Sequence, residues 1–176
     1  MNPQLRFETL DRFRPGIISD LLVRSYQELL DSTPEHWRPE AERWLEFDRE
    51  AFANPGTVGA CVFVTCLGEE PAGFGSFEPR DSLSGWVGHN CIIPEYRRQG
   101  HGRRQLDHII RLMTKRGIRE IRVTTGAQSF FLPAHRMYES RGFTEVGRRP
   151  GRPDPTYQHV DYVLRVPTTG TEPCPS

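Results

Sequence analysis

The hydrophobic and polar positions of this chain change their spacing several times, and each change predicts a new element. Between residues 103 and 116, apolar side chains recur at i, i+3, i+4 and i+7, which is the spacing of one helix face. That face is formed by Leu106, Ile109, Ile110 and Met113. Gly117 follows directly and is typical of a helix end. Other apolar or alternating runs, rich in Val, Phe and Ile, predict strands.

The same reasoning predicts seven strands and four helices. The predicted strands cover residues 4–10, 57–67, 72–77, 85–93, 119–125, 144–148 and 157–166. The predicted helices cover residues 17–30, 40–53 and 103–116, and a short one lies between Pro133 and Gly142. Pro34 and Pro39 are expected to interrupt the chain before the second helix. The predicted order is β-α-α-β-β-β-α-β-α-β-β, without internal repeats.

Length and composition limit the class of protein. The 176 residues fit one domain, predicted over residues 1–166 and followed by a disordered tail over residues 167–176. The 23 Lys and Arg residues balance the 23 Asp and Glu residues, whereas a nucleic-acid-binding protein is more often clearly basic. No apolar run approaches the roughly 20 residues of a membrane span, and the N-terminus lacks the apolar region of a signal peptide. We therefore expect a soluble, cytoplasmic protein without a nucleic-acid or membrane partner.

The cysteines are expected to be reduced thiols. Cys61, Cys66, Cys91 and Cys174 form no C-x-x-C pair, and the first three lie in apolar runs that resemble strands. Cys91 with His89 is too small a set of ligands for zinc. No metal site is therefore predicted.

The turn between the strand 85–93 and the helix 103–116 has the features of an anion site. Free backbone N–H groups and the helix dipole favour negative charge at a helix N-terminus. Gly100 and Gly102 let a ligand approach the backbone closely. Basic side chains surround the turn, namely those of Arg97, Arg98, Arg103 and Arg104. A phosphate or a pyrophosphate is the expected ligand.

Two common nucleotide motifs are excluded at this turn. The Walker pattern is absent because no Lys-Ser/Thr follows Gly102, and the G-x-G-x-x-G pattern fails because Gln105 stands at the third glycine. The pattern present is Arg97-x-x-Gly100-x-Gly102 after a strand that ends in Ile-x-Pro. It resembles the pyrophosphate-binding loop of the GNAT N-acetyltransferase superfamily, usually written [Q/R]-x-x-G-x-[G/A].

A second block strengthens this resemblance. Residues 131–143 contain Ala134, Tyr138 and Gly142-Phe143, which match the superfamily's A-x-x-x-Y-x-x-x-G-F block at the expected distance after the loop. The resemblance covers residues 85–149. It implies an α/β (mixed α+β) GNAT fold, in which a central, mostly antiparallel mixed sheet of six or seven strands has helices on both faces. It also implies that the fourth and fifth strands separate at one end to hold the pantetheine of the cofactor.

The resemblance implies transfer of an acetyl group from acetyl-CoA to a primary amine by direct attack in a ternary complex. Tyr138 matches the family's general acid, which protonates the leaving thiolate. A backbone N–H within residues 90–92 is expected to polarise the thioester carbonyl. The implied cofactor-binding residues are Cys91, Ile92, Ile93, Arg97, Arg98, Gln99, Gly100, His101, Gly102, Arg103, Phe131, Ala134 and Tyr138.

The sequence departs from the family pattern at two positions. Relatives often carry a Glu near the start of the strand before the loop, as the general base, and it is missing here. His89 has the most suitable ordinary pKa to replace it, Glu78 and Asp81 are alternatives, and a water chain is another. Because side chains alternate along a strand, His89 should face away from Asn90 unless a bulge intervenes. The second departure is Phe131 in place of a cofactor-contacting Asn, and Ser129 and Gln128 are the alternative residues for that contact.

The acceptor is expected to be a small-molecule or protein amine. In the family, the first two helices and the loop between the last two strands line the cleft that receives the acceptor. These segments are here residues 17–53 and 148–156. Those helices carry acidic residues that suit a cationic amine or form only a solvated face: Glu28, Asp31, Glu35, Glu40, Glu42, Glu46 and Asp48. Dimers are common in the family, so a homodimer is one expectation. A non-catalytic CoA-binding or interaction module of the same fold is the alternative function.

Overall fold

The computed structural model describes residues 4–151 and 154–167. Its strands are β1 (Leu5–Thr9), β2 (Val62–Leu67), β3 (Glu70–Pro79), β4 (Ser84–Ile92), β5 (Glu120–Gly126), β6 (Thr144–Pro150) and β7 (Gln158–Arg165). Its helices are α1 (Ile17–Ser32), α2 (Pro34–Ala53), α3 (His101–Lys115) and α4 (Leu132–Ser140). The order of strands and helices is the one that the hydrophobic pattern predicted.

The strands form one mixed sheet in the order β1-β2-β3-β4-β5-β7-β6. Pairing is antiparallel for β1–β2, β2–β3, β5–β7 and β6–β7. β4 and β5 pair in parallel, through Ser84–Trp86 and Glu120–Arg122. α3 lies between these two strands in sequence, because parallel neighbours need a long crossover connection. The predicted fold class, a mixed and mostly antiparallel sheet with helices, is confirmed.

Several predicted boundaries differ from the structure, and three of these differences have identifiable local reasons. α2 begins at Pro34, because a proline is tolerated in the first helical turn, and Pro39 lies within the same helix. β2 begins at Val62 and not at residue 57, because Gly59–Cys61 forms a 3₁₀ turn. α3 begins at His101 and not at residue 103, because the carbonyl of Gly100 already accepts the N–H of Arg104.

Contacts within the chain group it into two compact units. Unit 1 comprises Met1–Glu78 and Val87–Arg111, and unit 2 comprises Pro79–Trp86 and Leu112–Ser176. The single domain over residues 1–166 stays a prediction. Of the predicted tail, residues 168–176 lie outside the described residues, as do residues 152 and 153 of the loop before β7.

In unit 1, helices cover both faces of β4. The ring of His89 lies 5.1 Å from that of Phe47 on α2, whereas the side chain of its neighbour Asn90 accepts a hydrogen bond from Gln105 on α3. Successive side chains of a strand point to opposite faces, so α2 and α3 lie on opposite faces of β4. The predicted alternation between His89 and Asn90 is therefore observed, without reversal by a bulge.

A buried carboxylate joins the two helices α1 and α2 in unit 1. Asp48 on α2 is 1% exposed and accepts the N–H groups of Gly16, Ile18 and Ser19 at 2.7, 2.8 and 3.1 Å. No residue at the start of α1 provides a side-chain cap, so Asp48 satisfies amides that the first turn leaves without intrahelical acceptors. Its negative charge also lies at the positive end of the helix dipole. Asp48 thus differs from the solvated acidic residues with which the sequence grouped it.

In unit 2, α4 packs on one face of the β5–β7–β6 sheet. Its buried residues His135 and Tyr138 face Tyr162 of β7, with ring centroids 5.6 and 6.0 Å apart. The alternate positions of these strands, on the face opposite α4, carry charged residues. There Arg149 donates to Asp161 at 2.9 Å, and Arg122 donates to Glu120 at 2.6 Å. The sheet of unit 2 therefore has an apolar face under α4 and a polar face opposite it.

Candidate active site

The turn from β4 to α3 has an unusual backbone conformation. Arg98 has φ +61° and Gly100 has φ +80°, so two residues of the turn are left-handed. The left-handed conformation is unfavourable for arginine, and glycine adopts it freely. α3 starts directly afterwards and has no acidic residue in its first turn. Its first N–H groups have no acceptor within the helix, so the start of α3 is open to an anion.

The space above the turn is open. A Cβ atom placed on Gly100 would meet no other atom within 4 Å. Arg98, Arg103 and Arg104 are exposed, so their charges are available at the turn. The side chain of His101 is partly buried, its Nδ1 atom has no hydrogen-bond partner among the described residues, and burial lowers its pKa. The turn therefore combines space, cationic side chains and the amides of a helix start, and its role as an anion site stays a prediction.

Arg97 has a different environment from the other arginines. Its Nε donates to the carbonyl of Ile92 at 2.9 Å, and its guanidinium also donates to the carbonyl of Ser25 on α1. These bonds fix the turn to the end of β4 and to α1. We therefore assign Arg97 to the support of the turn, whereas the sequence had grouped it with the charges that surround the anion.

A cavity of about 960 Å³ opens in unit 1 beside the turn. Gln99, His101 and Arg104 contribute to its wall, together with Tyr96 and with Phe7 of β1. Its volume lies in the range of pockets that hold small ligands.

Some backbone N–H groups at the end of β4 are already hydrogen-bonded to β3 and are therefore not available to a ligand. The N–H of His89 donates to Ser76 Oγ at 2.8 Å, and the N–H of Ile93 donates to the carbonyl of Ala72 at 2.9 Å. Both of these partners lie on β3, and amide directions alternate along a strand. The amides of Asn90 and Ile92 are therefore expected to point away from β3. Ile93, which the sequence included among the cofactor-binding residues, has its N–H engaged within the sheet.

Gln105 is fully buried and joins α3 to three strands. Its Nε2 lies 2.8 Å from the carbonyl of Phe74, 2.6 Å from Asn90 Oδ1 and 3.3 Å from the carbonyl of Cys91. Its Oε1 accepts the hydroxyl of Thr65, which is also fully buried. Carbonyl oxygens only accept hydrogen bonds, so this orientation of the amide is the one that the surroundings allow.

The imidazole of His89 is packed between aromatic rings. Its centroid lies 5.1 Å from that of Phe47 and 5.4 Å from that of Phe74. Burial disfavours the charged form and lowers the pKa of His89 to about 4. The ring is therefore neutral at neutral pH. It can accept a proton, but as a weaker base than an exposed histidine.

The other two candidate bases lie in different environments. Glu78 is exposed near the end of β3. Asp81 accepts the hydroxyl of Ser84 at 2.6 Å and the N–H groups of Leu83 and Ser84 at 2.7 Å each. The hydrogen bond from the Ser84 side chain is the largest cause that lowers the pKa of Asp81. Asp81 thus stabilises the turn before β4, and its carboxylate is a poor proton acceptor at neutral pH.

The thiol of Cys91 is buried in β4, and burial raises its pKa to about 11. It therefore stays protonated at neutral pH and packs as an apolar residue. Cys66 is likewise buried in β2 with a raised pKa, and Cys61 is half-buried. All three are thiols, as predicted, whereas Cys174 lies outside the described residues.

Tyr138 and its neighbours belong to unit 2. Tyr138 lies on α4, is 5% exposed and has its ring centroid 5.6 Å from that of Phe143. Ala134 is half-buried one turn earlier on the same helix. Phe131 ends the 3₁₀ turn before α4 and lies against the backbone of Gly126.

Gln128 shows a feature that bears on the missing Asn of the family. Its Oε1 atom is buried and has no hydrogen-bond partner among the described residues. Leaving a buried oxygen without a donor is costly, so such an atom points to a missing partner. Between the two proposed substitutes, Gln128 and Ser129, this favours Gln128.

His135 was missed by sequence reasoning although it lies within the second block. It is buried, its Nε2 is 2.8 Å from the carbonyl of Gly126, and its Nδ1 is 2.7 Å from the hydroxyl of Tyr162. Because Gly126 only offers an acceptor, Nε2 carries a proton. These bonds attach α4, and with it Tyr138, to β5 and β7. Gln105 was missed too, although a polar residue four positions before Ile109 on the apolar face was a signal.

A comparison with protein families tests the assignment that the loop 97–102 and residues 131–143 suggested. The model of the Acetyltransferase (GNAT) family matches residues 23–143, which is more than half of the chain. The chain belongs to the GNAT acetyltransferase family. The family suggested by the loop and by the Tyr138 block is thereby confirmed.

Two relatives of the chain are named as N-acetyltransferases. The chain is 34% identical to the uncharacterized N-acetyltransferase YsnE of Bacillus subtilis over 76 residues, which is 43% of this chain and 50% of YsnE. It is 30% identical to the uncharacterized N-acetyltransferase YedL of Escherichia coli over 107 residues, which is 61% of this chain and 64% of YedL. The match thus spans between half and two thirds of the length of these relatives.

A solved GNAT structure supports the fold. A GNAT family acetyltransferase from Elizabethkingia anophelis with acetyl-CoA bound superimposes with a TM-score of 0.62 at 15% identity, covering 94% of this chain and 99% of the other. In the part of our chain that is described, no helix is long and apolar enough to cross a bilayer. Within the same residues no three His, Cys, Asp or Glu side chains cluster as metal ligands would.

Proposed function

We propose that this GNAT protein is an acetyl-CoA-dependent N-acetyltransferase that transfers the acetyl group directly to a primary amine in a ternary complex. The observation that carries the proposal is the turn before α3, where Arg98 and Gly100 are left-handed and the first helical turn is free of acidic residues. Family membership and the relatives named as N-acetyltransferases support the same reaction.

The residues of the turn suit the pyrophosphate of coenzyme A. The amides of residues 98–103 lie at the start of α3, where they can donate to phosphate oxygens. The exposed side chains of Arg98 and Arg103 add positive charge. The space above Gly100 leaves room for the phosphate. In unit 2, the buried Gln128 Oε1 offers an acceptor to an N–H of the cofactor.

Residues of β4 and α4 then serve the acyl transfer. The bound thioester supplies an activated acetyl group. The amide of Asn90 or of Ile92 polarises its carbonyl, because these amides are expected to point away from β3. Tyr138 donates its phenolic proton to the sulfur as the carbon–sulfur bond breaks, and the new carbon–nitrogen bond forms at the amine. The tyrosinate is reprotonated from solvent.

The attacking amine must lose a proton, and His89 is the leading candidate to take it. The ring is neutral at pH 7, because burial lowers the pKa of His89 to about 4. A low pKa makes His89 a weak base, so a chain of water molecules that leads to solvent is the alternative. Asp81 is less suitable, because its carboxylate is engaged in the turn before β4.

The acceptor is proposed to be a primary amine of a small molecule or a protein. The exposed acidic residues on α1 and α2 favour a cationic acceptor, whereas Asp48 is engaged with α1 and is excluded from this role. A homodimer stays a prediction from the family. The alternative function, a non-catalytic CoA-binding module, keeps the turn but requires no acceptor.

Calorimetric titration of acetyl-CoA into the purified protein tests the proposal. We expect micromolar binding by the wild type and its loss in Gly102→Glu, because a carboxylate would then lie at the phosphate position in the first turn of α3. Gly56→Glu is the matched control, since it adds the same charge at a position where a Cβ meets no atom within 4 Å. This control should bind as the wild type does.

The possible results separate the functions. If the wild type fails to bind acetyl-CoA, the acetyltransferase proposal is wrong. Binding without release of free thiol from acetyl-CoA, with a panel of small and peptide amines, would favour the non-catalytic module. Binding with amine-dependent thiol release would establish the transferase.

A further inference from the structure

We infer that Gln105 is a positioning residue that couples the pyrophosphate turn to the part of β4 that receives the thioester. The inference rests on the proposed function. Its observation is the full burial of a polar side chain on the apolar face of α3, with both ends of its amide bonded to strands.

The position of Gln105 along α3 gives it access to both parts of the proposed cofactor site. α3 begins at His101, so Gln105 lies one turn after the amides that are proposed to bind phosphate. Its Nε2 reaches Asn90 Oδ1 and the carbonyl of Cys91, which flank the amides proposed to polarise the thioester. A single side chain thus connects the first turns of α3 with the end of β4.

The strength of this connection follows from its burial. A buried carbonyl or amide that loses its hydrogen-bond partner is destabilising, so sliding α3 along β4 is unfavourable because it would leave several such groups unpaired at once. The hydroxyl of Thr65 on β2 fixes the other end of the Gln105 amide. An apolar side chain at this position would fill the same volume but would set no register between helix and strand.

The surroundings of β4 show why register matters. A Cβ on Gly73 would lie 2.1 Å from the carbonyl of Cys91, so the β3 backbone is packed tightly against this part of β4. Arg97 bonds the carbonyl of Ile92, the next residue. Two consecutive carbonyls of β4 are therefore hydrogen-bonded by side chains: that of Cys91 by Gln105 on α3, and that of Ile92 by Arg97 in the turn. We expect this pair of contacts to keep the two parts of the cofactor site at a fixed separation.

The test compares two ligands in the variant Gln105→Met, which keeps the length of the side chain and removes its amide. One ligand is coenzyme A, and the other is adenosine 3′-phosphate 5′-diphosphate, the fragment that carries the pyrophosphate without pantetheine. We expect the variant to bind coenzyme A at least about fivefold more weakly while the affinity for the fragment changes less than about twofold, because only the larger ligand needs both parts in register. Binding is measured by calorimetry, independently of turnover.

Two controls keep the test decisive. Gln27→Met makes the same chemical change at an exposed position of α1 and should leave both affinities unchanged. Gln105→Met should cost less coenzyme A affinity in an Asn90→Ala background than in the wild type, because Asn90→Ala has already removed one of the contacts of Gln105. Should Gln105→Met fail to fold, Thr65→Val is the second variant. It removes the hydrogen bond to Gln105 Oε1 and keeps the shape of the Thr65 side chain. It should also weaken the binding of coenzyme A more than the binding of the fragment.

The outcomes distinguish the positioning role of Gln105 from the proposed acetyltransferase function on which it rests. If the wild type binds neither ligand, the proposed function fails first. If the wild type binds both and the variants lose affinity for both equally, or for neither, Gln105 only stabilises the fold and the positioning role is wrong. A selective loss of coenzyme A affinity supports it.

Discussion

Single side chains in this protein carry roles that their residue type alone would not reveal. Tyr138, Gln105, Asp48 and His89 are all largely or partly buried, but each faces a different set of partners. The proposed chemistry depends on Tyr138, and the neutral state of His89 depends on the aromatic rings around it. Two predictions belong to this scale.

The first prediction concerns the proposed general acid. Tyr138→Phe keeps the aromatic packing against Phe143 but removes the phenolic proton, so turnover should fall at least about tenfold. The affinity for acetyl-CoA and the free energy of unfolding should change little. Steady-state kinetics, calorimetry and urea unfolding measure the three quantities.

Tyr162→Phe calibrates this result. It removes a hydroxyl that lies 2.7 Å from His135 Nδ1, so its main effect should be a loss of stability of about 1–3 kcal/mol. The comparison shows how far turnover falls when the support of α4 is weakened. Unchanged turnover in Tyr138→Phe would exclude Tyr138 as the acid.

The second prediction concerns pH. The folded-state pKa of His89, about 4, lies below its value of about 6.5 in an unfolded chain, so the unfolded state binds more protons between these values. The contribution of His89 to stability is therefore complete above pH 6.5 and is lost as pH falls towards 4, on the order of 3 kcal/mol in total.

Urea unfolding between pH 4 and pH 7 measures this effect. His89→Leu places an apolar side chain between Phe47 and Phe74 and removes the titrating group, so its stability should depend less steeply on pH than that of the wild type. Comparing the two proteins cancels the titration of the carboxylates that they share. Parallel pH curves would show that the His89 ring reaches solvent freely.

At this scale, sequence reasoning proposed residues for the candidate site but not the residues that support them. The turn residues and Tyr138 could be proposed because their motifs are local in the chain. The roles of Gln105, His135 and Asp48 were missed because their partners lie 9 to 40 residues away along the chain, such as Thr65 for Gln105 and Gly16 for Asp48. A pattern of residue types does not show which distant backbone groups need a partner.

Helices and strands form the next scale, and here the start of α1 has the most distinctive construction. Its first turn is capped from α2, by a carboxylate 30 residues away in sequence from Ile18. The two helices are thus joined at that point by hydrogen bonds in addition to apolar packing. α1 depends on α2 for its N-terminal boundary.

We predict that Asp48→Ala lowers the free energy of unfolding by at least about 2 kcal/mol, because it leaves three backbone N–H groups at the start of α1 without their acceptor. Chemical denaturation followed by circular dichroism measures the loss. Asp31→Ala, at an exposed position of α1 where the carboxylate accepts a hydrogen bond from the side chain of Gln27, should change stability by less than about 0.5 kcal/mol. Similar small effects of both substitutions would show that Asp48 does not stabilise α1.

The hydrophobic pattern predicted the existence and order of these elements better than their ends. Long periodic segments such as α3 were found because their apolar face is continuous. The start of α2 was missed because proline was interpreted as an interruption, whereas Pro34 occupies the first helical turn, where its lack of an N–H has no cost. The start of α3 was displaced because the left-handed conformation of Gly100 cannot be deduced from glycine alone.

At the scale of the whole molecule, the family and the fold class were both predictable from sequence. Two motifs at a fixed distance, Arg97-x-x-Gly100-x-Gly102 and the Tyr138 block, identified the family, and the order of elements agreed with it. The division into two compact units was not predicted, because it reflects contacts and not local sequence. The identity of the acceptor stays a proposal for a related reason. The acidic surfaces of α1 and α2 indicate the charge of the acceptor but do not specify its shape.

The last strand in the sheet order has a consequence for how this protein behaves when concentrated. β6 hydrogen-bonds to β7 only on one side among the described strands, and all seven of its residues are exposed. An exposed edge of this kind can pair with another chain and begin aggregation. Glu145, Arg148 and Arg149 place charges along β6, and Pro150 lacks an N–H, so the edge carries its own protection against such pairing. Variants that neutralise these charges for surface engineering would remove that protection and expose Val146, already 54% accessible, to intermolecular contact.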